Sequence, residues 1–439
     1  MLSKILSLLL KSNKFNSSSG VSGVITNTVW LFVDRIFRTG VGLLLGAWIA
    51  RYLGAKQYGL FSYANAFIIL FLPFATLGLE RIVIRYLVQD PSIKNEIIGT
   101  AFWLKLLGGI ASLFIATSCI YWLRQDEKLA IWLVVILSAA VIFKAFDMVE
   151  LWFESQVQSK YIVLAKNTAF IITTLLKVAL IAMQAPLIAF AWVVIVEMGL
   201  GAIGLIIVYQ VKGYSLKSWS WSFSVAKNLL KDSWFLMFSN IAVVIYTKID
   251  QVMLGEMVGN SAVGIYSVAA RVSEISYFIP RAIASSVSPS IYAAKENDET
   301  LYYQRIETLL RILVLLSIAI AIPMTFFSEG IINLLFGENY ASASSVLKIH
   351  IWASIFVFLR VGTATWFNAE GLNNFVLQRN LIGAVINIVL NLLLIPIYAE
   401  LGAAIATLIS YAFAEFFSDI FNVKTRKIFN IQIKSIFRV

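Results

Sequence analysis

Basic side chains interrupt several long apolar stretches of this sequence. An ionised group in such a stretch is costly unless it faces a water-filled cavity or an opposite charge, so each one is a candidate functional residue. Guanidinium and ammonium groups bind anionic oxygens, and guanidinium does so through two parallel hydrogen bonds. We predict that five of these side chains line a central cationic cavity: Arg35, Arg38, Lys248, Arg271 and Arg360.

Local ion pairing is the alternative explanation for the same residues. Arg38 follows Asp34 by about one helical turn, and acidic residues also lie close to two of the other candidates. The pairs would be Arg38 with Asp34, Lys248 with Asp250, and Arg271 with Glu274. Lys105 and Lys177 also fall in apolar stretches, and we interpret both as interfacial anchors or members of local pairs.

Acidic residues in the apolar stretches raise the question of a coupling ion, because a carboxylate at this depth can take up a proton or Na⁺. The candidates are Asp34, Glu197, Asp250 and Glu274. A separate acidic stripe is formed by Asp147, Glu150 and Glu154, one helical turn or two apart, with Lys144 just before it. We interpret this stripe as an ion-paired helix end on the cytoplasmic side.

Other kinds of chemistry have no sequence support. The chain has one cysteine, Cys119, and one histidine, His350, and contains no Cys/His cluster, phosphate-binding glycine loop or nucleophile motif. We therefore predict no metal ion, no cofactor and no catalytic residue.

Composition places these residues in a multi-pass membrane protein. Of 439 residues, 60% are hydrophobic and only 13% are charged, and the mean hydropathy is +0.84. A membrane-spanning helix needs about 20 mostly apolar residues, and the chain contains about twelve such runs. We predict an all-α integral membrane protein with spans at roughly 24–51, 57–84, 97–123, 129–152, 161–183, 187–210, 229–256, 262–292, 305–328, 343–368, 375–398 and 402–422.

The net charge of +11 follows from topology. With these spans, most lysines and arginines fall in connectors on the side of the N-terminus, which predicts that both termini are cytoplasmic. Nucleic acid is therefore not an expected partner. Residues 1–20 are basic and partly apolar but have no small-residue cleavage site, and we interpret them as an interfacial amphipathic segment.

A degenerate repeat divides the chain into two similar halves. The segment LGAKQYGLFSYA, residues 53–64, recurs as VGNSAVGIYSVA, residues 258–269. In the same order, Trp152-Phe153 recurs as Trp366-Phe367, and Lys166-Asn167 recurs as Arg379-Asn380. We predict two six-helix lobes, residues 1–211 and 229–439, joined by a cytoplasmic linker at 212–228. Because six spans return the chain to the same side, the lobes would be related by a parallel pseudo-two-fold axis.

These residues also resemble a known family. The segment ARYLGAKQYGLFSYANAF at residues 50–67, followed by LGLE at 77–80, resembles the polysaccharide-biosynthesis branch of the multidrug/oligosaccharidyl-lipid/polysaccharide exporter superfamily, the Wzx-type flippases. The segment NLLLIPIYAELGAAIATLIS at residues 391–410 is similar to the eleventh-to-twelfth span connection of that family. The resemblance therefore extends over essentially the whole chain and implies a fold like that of the multidrug exporters.

The resemblance implies a non-enzymatic flippase. Its substrate would be an undecaprenyl-pyrophosphate-linked oligosaccharide, such as an O-antigen repeat unit, moved across the bacterial inner membrane by alternating access. The basic cavity would neutralise the pyrophosphate, and a polysaccharide polymerase and a chain-length regulator are the expected protein partners. Lipid II flippases carry an Arg-Asp pair where this chain has Leu45 and Gly46, which argues against a peptidoglycan precursor.

Two other functions remain open from the sequence. A multidrug or organic-cation antiporter would share the fold, and an acidic cavity would favour it. A membrane glycan polymerase or ligase usually carries its chemistry on a sizeable outer loop, whereas the outer connectors here are short.

Overall fold

The computed structural model describes the backbone of residues 18–437 and the side chains of residues 34–436 other than Asn373. Within this range the regular elements are all helices, and no strand occurs. The interfacial segment predicted at residues 1–20 lies almost entirely outside the described residues.

The first part of the chain forms nine α-helices. We number them α1 (18–53), α2 (55–76), α3 (Leu79–Gln89), α4 (Lys94–Leu123), α5 (Lys128–Val141), α6 (Asp147–Ser155), α7 (Ser159–Ala182), α8 (Leu187–Val211) and α9 (Phe223–Met257). A 3₁₀ turn at Ile142–Phe146 joins α5 to α6.

The remaining part forms nine more. They are α10 (Asn260–Glu274), α11 (Phe278–Asn297), α12 (Glu299–Phe326), α13 (Ser328–Phe336), α14 (Ala343–His350), α15 (Ala353–Glu370), α16 (373–398), α17 (400–415) and α18 (Arg426–Phe437). A 3₁₀ turn at Phe417–Ile420 follows α17.

Nine helical segments of the described chain are long and apolar enough to cross a membrane. Two of them contain a break, at Gly54 and at Ala399, so each corresponds to two of the predicted spans. The one predicted span without a counterpart among the nine is the eighth, which the structure forms as α10 and α11. This segment is rich in serine and carries Arg271, Glu274 and Arg281, which lower its hydropathy.

Two compact units make up the fold, one of residues Ser19–Val252 and one that begins at Met253. The division falls inside α9, some way after the linker predicted at residues 212–228. Contacts with α3 explain why most of α9 belongs to the first unit. Arg85 and Tyr86 of α3 both bind Asp232 of α9, and a Cβ on Gly78 would come within 2.9 Å of the Ser233 carbonyl oxygen.

The two copies of the glycine motif form turns with the same unusual backbone. Gly54, between α1 and α2, has φ 71° and ψ 168°, and Gly259, between α9 and α10, has φ 121° and ψ 175°. Glycine is essentially the only residue that adopts this conformation. A Cβ at either position would meet no atom within 4 Å. Backbone conformation, and not crowding, therefore requires glycine at both turns.

Each unit also has an aromatic core that includes the repeated Trp-Phe pair. Trp152 and Phe153 pack with Tyr209 in the first unit, and Trp366 and Phe367 pack against each other in the second. Both pairs are at least nine-tenths buried. Burying such rings removes a large apolar area from water or lipid headgroups and fixes the neighbouring helices.

Candidate functional site

A cavity of about 160 Å³ lies within the first unit, between α1, the Ile142–Phe146 turn, α6, α7 and α8. This volume is enough for a few water molecules. Five of its lining residues are ionisable. The full lining is Arg38, Phe143, Lys144, Asp147, Lys166, Ala169, Glu197, Met198, Gly201, Ala202 and Leu205.

Local structure explains how charged groups reach an apolar bundle. The 3₁₀ turn at Ile142–Phe146 separates α5 from α6, so that Lys144 lies in the turn and Asp147 begins α6. On the facing side, α8 contributes Gly201 and Ala202, whose small side chains leave the space open. The charged side chains consequently line a small cavity between these helices.

Lys166 of α7 is the centre of the cavity's ion-pair network. Its Nζ lies 3.5 Å from Asp147 Oδ1 and also contacts Glu150 Oε2. Lys144 Nζ lies 3.4 Å from Asp147 Oδ2. These side chains retain between 18% and 31% of their exposure, so water in the cavity screens the network in part. The acidic stripe predicted from the sequence is ion-paired, as expected, at Asp147 and Glu150. Glu154 forms no ion pair within the part of the chain that the structure describes.

Two further ion pairs extend the network. Arg38 Nε donates to Asp34 Oδ1 at 2.9 Å, and Arg38 also stacks on the ring of Phe170, 5.2 Å from its centroid. Lys177 Nζ donates to Glu197 Oε2 at 2.7 Å. The cations and carboxylates of these pairs balance, so this cavity is lined by paired charges and is not cationic by itself.

Lys105 differs from the interpretation made from sequence. It is 1% exposed, which excludes a snorkelling interfacial anchor, and its Nζ has no hydrogen-bond partner among the described side chains. The charges that act on it most strongly are those of Asp147, Glu80, Lys144 and Glu150. Lys105 is therefore buried near the network, and its ammonium group forms no hydrogen bond with the network's side chains.

The five predicted cavity residues divide between the two units. Arg35, Arg38 and Lys248 belong to the first, and Arg271 and Arg360 to the second. Arg35 is exposed and Lys248 and Arg271 are half-buried. Arg360 Nε lies 3.8 Å from Glu415 Oε1. Whether the five line a common cavity stays a prediction.

The predicted ion-coupling acids have different surroundings. Asp34 and Glu197 are occupied by Arg38 and Lys177. Asp250 is 1% exposed, and its Oδ1 accepts a hydrogen bond from the Gln251 N–H at 2.8 Å. Glu274 is half-buried at the end of α10. A role for any of them in coupling stays a prediction.

The sequence did not predict a buried ion pair in the second unit. Arg379 Nη2 of α16 lies 3.1 Å from Glu415 Oε2 of α17, and the two side chains are 3% and 1% exposed. Arg379 is the repeat counterpart of Lys166, so both units place a basic residue at this position against a carboxylate. The repeat could have drawn attention to Arg379, but it does not identify Glu415 as its partner, because Glu415 has no counterpart among the acids that surround Lys166.

Comparison with known families gives one match over most of the chain. A family model described as "Polysaccharide biosynthesis protein" matches residues 48–345.

Curated relatives cover the chain to different extents. The "Probable low-salt glycan biosynthesis flippase Agl15" of Haloferax volcanii is 26% identical over 407 residues, which are 88% of this chain and 80% of that protein. The "Probable flippase AglR" of the same organism is 32% identical over 39% of this chain and 37% of its own. The "Capsular polysaccharide biosynthesis protein CapF" of Staphylococcus aureus is 25% identical over 40% of this chain and 44% of its own.

Solved structures share the fold over nearly the whole chain. An inward-facing multidrug resistance transporter of the MATE family and MOP superfamily aligns with a TM-score of 0.75 and 15% identity, covering 92% of this chain and 99% of that one. The lipid II flippase MurJ in an inward closed conformation aligns with a TM-score of 0.67 and 17% identity, covering 94% and 90%. At these identities the likeness concerns the fold alone, and it confirms the predicted all-α, MATE-like membrane architecture.

Proposed function

Because the chain belongs to the polysaccharide biosynthesis protein family, we propose that it is a flippase that moves a lipid-linked oligosaccharide across a membrane. The similarity to Agl15, which extends over 88% of this chain, carries the proposal. That relative is named as a glycan biosynthesis flippase, and the similarity is not confined to one lobe. The fold shared with MurJ supports the same activity.

The substrate in this proposal is an oligosaccharide linked to undecaprenyl pyrophosphate. Pyrophosphate carries about two to three negative charges, which must be neutralised when the headgroup leaves water. Arg38 and Arg360 each contact a carboxylate within their own unit, Asp34 and Glu415. Phosphate oxygens offer an arginine the same kind of acceptor as a carboxylate. The substrate therefore replaces these carboxylates as the partner of each guanidinium, with Arg35, Lys248 and Arg271 adding positive charge.

Alternating access of two six-helix lobes is the proposed mechanism. The lobes are those of the sequence repeat, residues 1–211 and 229–439, and the glycine turns at Gly54 and Gly259 are equivalent points in them. The protein acts without covalent chemistry. We also propose that it is a multi-pass protein of the bacterial inner membrane with both termini in the cytoplasm. Its expected protein partners are a polysaccharide polymerase and a chain-length regulator.

Export of drugs or organic cations is the second candidate, because the MATE structure aligns with the higher TM-score. The distribution of charge argues against it. The five basic residues proposed to line the cavity, Arg35, Arg38, Lys248, Arg271 and Arg360, favour an anionic cargo, whereas a cationic cargo is stabilised by unpaired carboxylates.

Reconstitution tests the two functions directly. Purified protein is inserted into vesicles that contain an undecaprenyl-pyrophosphate-linked oligosaccharide, and an impermeant glycosidase is added outside. A flippase makes the inner-leaflet substrate accessible to the enzyme, while protein-free vesicles keep it protected. Parallel vesicles loaded with a fluorescent organic cation report drug transport. Cation movement without oligosaccharide exposure would replace the proposal by the antiporter.

A further inference from the structure

One carboxyl oxygen of Asp419 is buried at the end of the twelfth predicted span without a hydrogen-bond partner. Asp419 is 2% exposed and lies in the 3₁₀ turn Phe417–Ile420. No donor among the described residues reaches its Oδ2. Burial disfavours the ionised carboxylate at such a position much more than the neutral acid.

Gln432 of α18 lies within hydrogen-bonding reach of the Asp419 carboxyl group, and one polar atom of its amide also lacks a partner. It is fully buried, and its Nε2 donates to the backbone carbonyl of Glu415 at 3.1 Å. This bond fixes the orientation of the amide, since the reversed amide would set two acceptors against each other. The Oε1 atom then needs a donor, and none of the described side chains supplies one.

A proton bound to Asp419 would give both side chains the hydrogen bond that they lack. A protonated Asp419 has an O–H donor and no charge, and Gln432 Oε1 is an acceptor without a partner. The backbone holds the two side chains in place, because Thr425 Oγ1 donates to the Asp419 carbonyl oxygen at 2.8 Å. We propose that Asp419 and Gln432 form a proton-binding site at the cytoplasmic end of the twelfth span.

The charged groups around the site decide what a bound proton does. The helical segment 373–415, which comprises α16 and α17, packs against the Phe417–Ile420 turn, and so does α18. The charges facing Asp419 are Arg379 of α16 and Glu415 of α17. The nearby basic residues of α18 are engaged elsewhere, Arg426 with the Ile420 carbonyl and Lys427 with Glu299. An ionised Asp419 therefore shares the Arg379 guanidinium with Glu415, which contacts it directly.

Proton binding in this arrangement favours binding of an anion. The set of Arg360, Arg379, Glu415 and Asp419 is neutral when Asp419 is ionised and carries one positive charge when it is protonated. Arg360 is the member of the set with 21% exposure and is one of the proposed pyrophosphate ligands, so this step rests on the proposed function. By linkage, a proton that strengthens pyrophosphate binding is itself bound more tightly in the complex. The proton is taken from cytoplasmic water and returned to water.

Infrared spectroscopy of the purified, substrate-free protein tests the site without any transport assay. A protonated carboxyl group absorbs in a band separate from that of carboxylates, and this band is followed between about pH 5 and 9. We expect a titrating band in the wild type whose amplitude is smaller by one carboxyl group in Asp419→Asn, whose amide supplies the donor to Gln432 and preserves the fold. Glu299→Gln, which removes an exposed acid of the same unit, is the matched control and leaves the band unchanged.

Two results would overturn the site: no titrating band of protonated carboxyl groups in the wild type, or a band of unchanged amplitude in Asp419→Asn. If Asp419→Asn does not fold, Asp419→Glu is expected to retain the band with a displaced titration, and an unchanged titration counts against the site. In the reconstituted system, Asp419→Asn is expected to flip oligosaccharide at a rate that no longer depends on an imposed pH gradient. A wild-type protein that moves no oligosaccharide contradicts the proposed function and leaves the infrared result standing.

Discussion

Gly54 and Gly259 occupy equivalent turns of the two repeats and adopt the same region of φ/ψ space, with φ of 71° and 121° and ψ of 168° and 175°. They are 205 residues apart in the sequence. The repeat, which is weak in the amino-acid sequence, is therefore clear in the backbone conformation of the turn between the first and second helices of each repeat.

Replacing either glycine by alanine is expected to destabilise the protein. A non-glycine residue in this backbone region costs about 1–3 kcal/mol, and no steric contact adds to it because a Cβ at either position meets no atom within 4 Å. Thermal unfolding in detergent measures the change. Gly330→Ala is the control, since Gly330 lies within α13 and a Cβ there also meets no atom within 4 Å. Equal melting temperatures for all three variants would refute the backbone explanation.

Substitutions of Arg38 and Asp34 are expected to change substrate affinity in opposite directions. If pyrophosphate replaces Asp34 as the partner of Arg38, Arg38→Gln weakens binding of undecaprenyl pyrophosphate by about 10- to 100-fold. Asp34→Asn removes the competing carboxylate and strengthens binding about threefold. Fluorescence titration of the detergent-solubilised protein measures both affinities. A purely structural ion pair predicts that both variants bind more weakly, so loss of affinity in Asp34→Asn argues against the exchange.

Lys166 is expected to be sensitive to loss of charge and tolerant of a change of cation. Lys166→Met leaves Asp147 and Glu150 facing each other with Lys144 and the buried Lys105 as the nearby cations, and we expect a loss of about 2 kcal/mol, less than for a fully buried pair because the network is partly exposed. Lys166→Arg keeps the charge and is expected to retain most of the stability. Chemical unfolding followed by tryptophan fluorescence distinguishes the two. A stable Lys166→Met would show that the network contributes little to folding.

The pair between Lys177 and Glu197 is expected to show energetic coupling. The side chains are 17% and 23% exposed and lie 2.7 Å apart on neighbouring helices, so each single neutral variant leaves one poorly solvated charge. We expect Lys177→Met and Glu197→Gln each to destabilise the protein, and the double variant to be less destabilised than their sum by about 0.5–2 kcal/mol. Additive effects would mean that each side chain is solvated independently, and the interaction between the two would then contribute nothing to stability.

The helices could be predicted from the sequence because hydropathy alone specifies them. Eleven of the twelve predicted spans correspond to the nine long apolar segments, including the breaks near Gly54 and Ala399, since a bilayer requires long apolar helices with satisfied backbone groups. The remaining predicted span is the eighth, which α10 and α11 form. Its hydropathy is too low, and it contains more serine than the other spans. Hydropathy does not predict the two compact units, because their division inside α9 depends on contacts such as those of Asp232.

The site was harder to predict because ion pairing depends on neighbours in space. The pair of Arg38 with Asp34 was predictable, since one helical turn separates the two residues. Lys177 with Glu197 and Arg379 with Glu415 each join different helices, and their sequence separation carries no signal. Lys105 was misinterpreted for the same reason, because a lysine in an apolar stretch has the same sequence context whether it reaches an interface or lies buried.

The ion pairs at Lys166 and Arg379 meet the same electrostatic requirement with different residues. The two cations occupy equivalent positions of the sequence repeat, and each lies against a carboxylate. Their surroundings differ: Asp147 lies five residues before Trp152, whereas Arg360 lies six residues before Trp366. Near this place one copy carries an acid and the other a base, and in the second copy the carboxylate comes from Glu415 of α17. A cation inside an apolar helix bundle requires a nearby carboxylate, and each unit provides it from a different helix.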